Sequence, residues 1–231
     1  MAGREAHLVE DLSPGTFCSA HINFDLETSR ILVDSPEVSV DLESQPRLAG
    51  HGYEAGIIPD LSVDHPLSHF ERGASVTGAI RVGEISARIE GNGYRDRTWG
   101  LRDESASIAE YAAVLVAMPE FNVALAKFMD KDGKVRSHGV LMYADRTEPV
   151  HDIVYSRDAS GLITGADYTD AQGRNTHLSM QRARGGFWLP MGTGGPPPTM
   201  SAYDDSVDVW IDGNSEARGA GFAEQGVLRR L

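Results

Sequence analysis

Residues 107–130, SIAEYAAVLVAMPEFNVALAKFMD, decide how the fold is read. The run is rich in alanine, the strongest helix former, so a helix is the first reading. Pro119 stands in its middle, where it would remove a helical hydrogen bond and clash with the preceding turn. FNVAL, residues 121–125, alternates with period two, as strands do. The run is therefore predicted to be two strands joined near Met118–Glu120, and a helix here would count against an all-β protein.

The flanking sequence agrees with strands. In VTGAIRV, Val76, Gly78, Ile80 and Val82 share one face, and in ISARIEG, Ile85, Ala87 and Ile89 alternate with Ser86, Arg88 and Glu90. SVDVWID places Val207, Val209 and Ile211 on one side. Turn signals recur at Ser13-Pro14-Gly15, Ser35-Pro36, Asp130–Gly133, Asp158–Gly161, Ala171–Gly173 and Asp212–Asn214. Short alternating runs between frequent turns predict antiparallel hairpins in an all-β domain. Residues 185–200, GGFWLPMGTGGPPPTM, combine Gly and Pro with Phe187, Trp188, Leu189, Met191 and Met200. They are predicted to form no regular element, serving either as a loop pinned to the core or as a lid over a pocket mouth.

Composition narrows the function classes. The chain has 231 residues, 41% of them hydrophobic and 24% charged, as in ordinary globular domains. Its formal net charge of −13, with no basic cluster beyond Arg229–Arg230, argues against nucleic acid and against an anionic membrane surface. It favours a neutral or apolar small-molecule partner. No apolar run is long enough to span a bilayer and the N-terminus has no signal-like core, so membrane insertion is not expected and a cytoplasmic location is. Cys18 is the single cysteine, which excludes a disulfide framework or a cysteine-rich zinc site within the chain.

The chemistry concentrates in residues 91–103, GNGYRDRTWGLRD. On a strand, Tyr94, Asp96 and Thr98 share one face while Arg95, Arg97 and Trp99 share the other. The arginine–tryptophan face reads as a structural clamp. An acid flanked by hydroxyls reads as a candidate general acid if an apolar cavity desolvates it. The same residues permit a plain structural reading, with Asp96 paired to Arg95 or Arg102 at a tight corner. Upstream, His65 and His69 are four residues apart, but Pro66 argues against a helix, and on a strand they would stand ~13 Å apart, too far to share a metal. His69 and Glu71 face the same way on a strand and can form an acid–base pair. His138 and Tyr143 are candidate pocket-lining residues, and no metal site is expected.

GNGYRDRTWGLRD resembles the G-x-G-x-R-D-H-S-W-G-x-R-D signature of the AttH and carotenoid 1,2-hydratase group of calycin proteins. HFERGASVTGAIRVG (with His69, Glu71 and Gly78) and ARGAGFAEQG (with Gly219, Gly221 and Glu224) resemble strands flanking that signature. The resemblance implies an all-β, lipocalin-like antiparallel barrel over residues 61–231. Because the family commonly has two barrels, residues 1–60 would be N-terminal strands of a first barrel that is truncated, reduced to a few strands or replaced by a neighbouring subunit; exposed strand edges there would also allow a homodimer. It also implies an enzyme without cofactor that hydrates, cyclises (Diels–Alder-type closure included) or isomerises a terpenoid- or polyketide-like molecule, a lyase or isomerase of secondary metabolism. Asp96 would be the general acid, with Tyr94, His69 and Glu71 orienting substrate or relaying protons. Trp99, Phe187, Trp188 and Met191 would wall the pocket with His138 and Tyr143. The chain departs from the signature at Arg97, where the family has histidine, so a proton carried there in the family is not carried here. The alternative is a non-catalytic carrier of a hydrophobic molecule in the same cavity.

Overall fold

The structure is a computed structural model that describes residues 15–54, 56–58, 68–99, 108–191 and 199–229. All regular elements among the described residues are strands. Six form one sheet in sequence order: β1 (Thr16–Cys18), β2 (Ile22–Asp25), β3 (Arg30–Asp34), β4 (Val38–Gly52), β5 (Ser68–Val82) and β6 (Ile85–Trp99). The remaining strands are β7 (Ile108–Ala117), β8 (Asn122–Asp130), β9 (Val135–Met142), β10 (Thr147–Pro149), β11 (His151–Arg157), β12 (Ile163–Thr169), β13 (Asn175–Met191), β14 (Thr199–Ile211) and β15 (Asn214–Arg229). They form a second, nine-stranded sheet in the order β10-β9-β8-β7-β15-β14-β13-β12-β11. None of the described elements is a helix long and apolar enough to cross a membrane.

Two compact units interleave along the chain. The first takes Met1–Arg47 and Ala74–Gly93, and the second takes Leu48–Gly73 and Tyr94–Leu231. In the first, register pairs Ile22 with Val33 and Val33 with Val40, and pairs Phe24 with Ile31 and Ile31 with Leu42. Opposed residues share a face, so these six form an apolar face, while Arg30 and Asp41 join in an ion pair on the other.

In the second unit the nine-stranded sheet is antiparallel throughout and curls into a nearly closed barrel. Its two ends approach where Val150 N–H donates to Gly139 C=O and Lys127 Nζ donates to Ile153 C=O. The interior is filled: Val114, Val116, Leu125, Leu178, Val207 and Val209 belong to one buried cluster with Met118, Tyr168 and others. Each fully buried aliphatic side chain contributes about 1.5–3 kcal/mol of hydrophobic stabilisation. Arg182 makes ion pairs with buried Asp205 (2.6 Å) and with Asp158 (3.0 Å).

The alanine-rich run is the β7–β8 hairpin, its turn closed by Met118 N–H to Phe121 C=O. It looks helical in sequence because both faces are buried. Ala112, Val114 and Val116 enter the barrel interior, while Tyr111, Ala113 and Leu115 pack on the outer face. A strand covered on both sides loses the polar half of its alternation.

Residues 185–191 correct the expectation that this glycine- and proline-rich stretch forms no regular element. They continue β13 and pair with residues 200–206 of β14. A bulge between Arg182 and Gly185 precedes them, with Gly185 at φ +89°. Gly186 then lies so near β14 that a Cβ there would stand 2.3 Å from Asp204 O. The glycines thus permit a bulge and a close strand approach. Residues 192–198, which hold the Pro196–Pro198 run, lie outside the described residues, as do His65 and Arg102.

Candidate functional site

Cross-strand register builds the floor of the site on the outer face of the nine-stranded sheet. One transverse row runs Phe187, Asp204, Glu224, Ala113, Ala126, His138, each residue opposite the next. The centre of this row is small, which leaves room above it. That room is occupied by the ends of β4, β5 and β6 in the same compact unit. Leu48 packs with Ala124, Val140 and Met142, beside Tyr94 and Leu115. Tyr53, Ile57 and Ile58 pack with Tyr111, Ala113, Ala126 and Phe128. Gly73 allows the close approach, since a Cβ there would meet Leu48 Cδ1 at 2.5 Å.

Glu71 is the centre of the polar network and is only 1% exposed. Its Oε1 accepts from Tyr53 Oη (2.9 Å) and from His69 Nε2 (3.1 Å), and its Oε2 accepts from Tyr94 Oη (3.0 Å). Three donors converging on one carboxyl suit the carboxylate, which only accepts. Burial, and then the charge of Glu71, push both phenols well above their ordinary range, so Tyr53 and Tyr94 remain donors. His69 Nδ1 lies 2.7 Å from Thr98 Oγ1, which fixes the ring from its other side. Asp96 Oδ2 stands 3.6 Å from His69 Nε2, and the Asp96 side chain is 41% exposed. Beside Tyr53, His51 and His138 stack and bring their Nε2 atoms to 2.9 Å. Burial, with the neighbouring His51, lowers His138 to about 4, and burial lowers His51 as well, so this pair is neutral near pH 7.

Five of these groups, Tyr53, His69, Glu71, Asp96 and Thr98, line a cavity of about 140 Å³. Its polar lining includes Tyr53, His69, Glu71, Asp96, Thr98 and Glu224, and its apolar lining includes Ile58, Ile108, Leu115 and Phe128. The volume is below the ~300–1,000 Å³ of pockets that enclose a drug-sized ligand, and suits one reacting segment of a larger molecule. Ligand atoms of His69, Glu71 and Asp96 lie within 4.8 Å of one another, close enough to hold a divalent cation. Doing so would replace the His69–Glu71 hydrogen bond, because that bond uses the atoms the ion would need. As arranged, the cluster sets one imidazole nitrogen between two carboxyls, a geometry that permits proton exchange.

The structure brings together Tyr94, Asp96, His69, Glu71 and His138 of the residues singled out in the sequence. The division of residues 94–98 by strand alternation holds for Tyr94, Asp96 and Thr98, which all turn toward His69 and Glu71. The desolvation expected of Asp96 falls instead on Glu71. Tyr143 is elsewhere, packed on Phe121 and under Arg146 at the inner cluster. Phe187 is half exposed and sits next to Asp204 in the floor row. Trp188 pairs with Tyr203, its ring 5.0 Å away, on the opposite face of the sheet from the cavity. The side chains of Trp99 and Met191 lie outside the described set, and with Trp99 the arginine clamp expected of that face. Sequence reasoning missed Tyr53, His51 and Asp204, which carry no motif and reach the site only through packing. Glu224 was visible as part of a resembling strand but not as a site residue.

The model of a family described as Domain of unknown function (DUF7064) matches residues 4–213. No curated protein sequence matches significantly. Among solved structures, a provisionally named AttH protein from Nitrosomonas europaea is similar over 97% of this chain and 75% of its own, at 13% identity and TM-score 0.63. Kievitone hydratase from Nectria haematococca is similar over 87% of this chain at 12% identity and TM-score 0.54, and the match spans 65% of the hydratase. CghA, solved with Sch210972, is similar over 91% of this chain and 67% of its own, at 13% identity and TM-score 0.59. These likenesses establish a common lipocalin-like fold.

Proposed function

The chain belongs to the family described as Domain of unknown function (DUF7064), and we propose that it is a hydratase, cyclase or isomerase that acts on an apolar small molecule by proton transfer, without a cofactor. The observation that carries this reading is the His69–Glu71–Asp96 cluster, set in the wall of a cavity whose other lining is largely apolar. Two structural neighbours named for a hydratase and for a complex with Sch210972 support the reaction class. Glu71 is held by three donors, so it anchors His69 and does not reach for substrate. Asp96 is the carboxyl at the accessible end of the cluster; it is partly exposed and not desolvated, so it acts as the general acid by receiving its proton through His69.

In a hydration, the proton of Asp96 goes to one alkene carbon and the π electrons form the new C–H bond. Water attacks the cation left on the other carbon, forms the C–O bond and gives up a proton to a base. Isomerisation replaces the water step by loss of a proton from a neighbouring carbon. The carboxylates around the cavity stabilise positive charge as it develops. General acid catalysis of this kind is worth about 10²–10⁴ in rate.

A carrier is the second reading, because a network in which Glu71 is fully satisfied internally would also serve as a brace between β5 and β6. The test is native mass spectrometry of protein purified from its own host, followed by incubation of any retained apolar compound with fresh protein in ¹⁸O-labelled water. Gain of one labelled water, or conversion to an isomer at unchanged mass, supports the enzyme. A compound that stays bound and chemically unchanged supports the carrier.

A further inference from the structure

The cavity has a second ionisable wall, contributed by the sheet. Glu224 of β15 lines it, and Asp204 of β14 stands directly opposite Glu224 in the register. Opposed side chains on one face have Cβ atoms about 4.5–5.5 Å apart, so the two carboxyls are neighbours. Tyr111 Oη, from β7, donates to Glu224 Oε1. Asp204 Oδ1 is buried and has no hydrogen-bond partner among the described residues, and Phe187 flanks Asp204 in the floor row. No lysine or arginine is among the described residues lining the cavity. Two adjacent carboxyls with no cation between them do not both ionise readily.

We propose that Glu224 is the base of the reaction, and that Asp204 is its positioning partner, the two carboxyls sharing one proton. The proposal rests on the enzymatic reading above. Glu224 takes the proton that the attacking water releases, or the C–H proton lost in an isomerisation, while Asp96 on the β5–β6 wall supplies the proton added to carbon. The electrons of the broken O–H or C–H bond stay with the substrate, so no oxidant or reductant is needed. Asp204 holds the shared proton while Glu224 is charged. Burial and the charge of Glu224 raise Asp204 to about 7, in agreement with this division. The other titratable groups lining this cavity are Tyr111 on β7, Tyr53, and His69, Glu71 and Asp96 on β5 and β6.

The test is a pH titration of the whole protein, ¹³C-labelled at its Asp and Glu carboxyls and followed by NMR. The wild type should show one aspartate titrating near pH 7, absent in Asp204→Asn and displaced to lower pH in Glu224→Gln. Should Glu224→Gln fold poorly, Tyr111→Phe removes the donor to Glu224 and should raise the midpoint of the pair. A pair of carboxyls that titrates in the ordinary acidic range, or an Asp204 midpoint indifferent to Glu224→Gln, overturns the proposal. With the compound retained from the host, Glu224→Gln should lower turnover at least about a hundredfold while binding stays within a few-fold. Wild-type turnover with full activity in Glu224→Gln defeats this inference and leaves the enzymatic reading intact. A bound compound that no variant and no wild type converts defeats the enzymatic reading, and with it the role of Glu224 as base.

Discussion

The two faces of the nine-stranded sheet are made of the same strands and do different work. The inner face is a close-packed cluster made mostly of Val, Leu, Ile and Met, with Ala112, Ala166, Ala223 and Tyr168 among them. The outer face is floored by Ala113, Ala124 and Ala126 and contributes Asp204, Glu224, Tyr111 and His138, while the ends of β4–β6 that cover it bring His69, Glu71, Tyr94 and Asp96. A barrel of this architecture suggests a cup with its ligand inside. Here the interior is filled, and the site lies outside the barrel wall. Large side chains stabilise the inner face, while small ones on the outer face leave space for chemistry.

If that division is right, truncation inside and enlargement outside should fail in different ways. Leu178→Ala, at a fully buried inner position, should destabilise by about 2–5 kcal/mol in denaturant unfolding while retained ligand stays bound under native conditions. Ala126→Leu fills the floor of the cavity. It should cost about 1–3 kcal/mol through overpacking, yet abolish ligand retention in native mass spectrometry. Equal loss of binding in both variants would break the comparison.

A smaller effect follows from pH. His138 is depressed to about 4 against about 6.5 for an unfolded histidine, so protonation favours the unfolded chain. The stability that comes from keeping it neutral is fully present above about pH 6.5 and is lost as pH falls toward about 4. Asp204 has the opposite sign, because its raised value costs stability as pH rises from the ordinary carboxyl range toward about 7. The wild-type profile mixes the two. The difference between wild type and His138→Phe in urea unfolding isolates the first: it should change between about pH 6.5 and 4 and be flat above. A difference that does not vary with pH would show that His138 is not held neutral by burial.

Much of the fold was legible because strands announce themselves locally. Pro119 and the alternation of residues 121–125 outweighed the helical composition of the β7–β8 hairpin. The alanines that caused the ambiguity are the floor of the site, a tertiary requirement that one strand cannot reveal. Residues 185–191 read as irregular in sequence because Gly and Pro both break regular elements, whereas Gly185 and Gly186 serve a bulge and a close approach. In the site, alternation alone placed Tyr94, Asp96 and Thr98 on one face and His69 with Glu71 on another. Which of the two carboxyls is buried depends on the cover supplied by Tyr53, a residue with no motif around it. Tyr143 and Trp188 are aromatic and partly exposed, like pocket residues, but ring contacts place the first and register the second in other surroundings.

Asp96→Asn tests most directly whether the His69–Glu71–Asp96 cluster performs proton transfer. The substitution keeps shape and removes the acid at a side chain that is 41% exposed, so the fold should be little affected. Measured on the compound retained from the host, turnover should fall by about 10²–10⁴ while binding stays within a few-fold and unfolding within about 0.5 kcal/mol of wild type. Unchanged turnover, or a protein that unfolds on this substitution alone, would contradict the account and make Asp96 a structural corner.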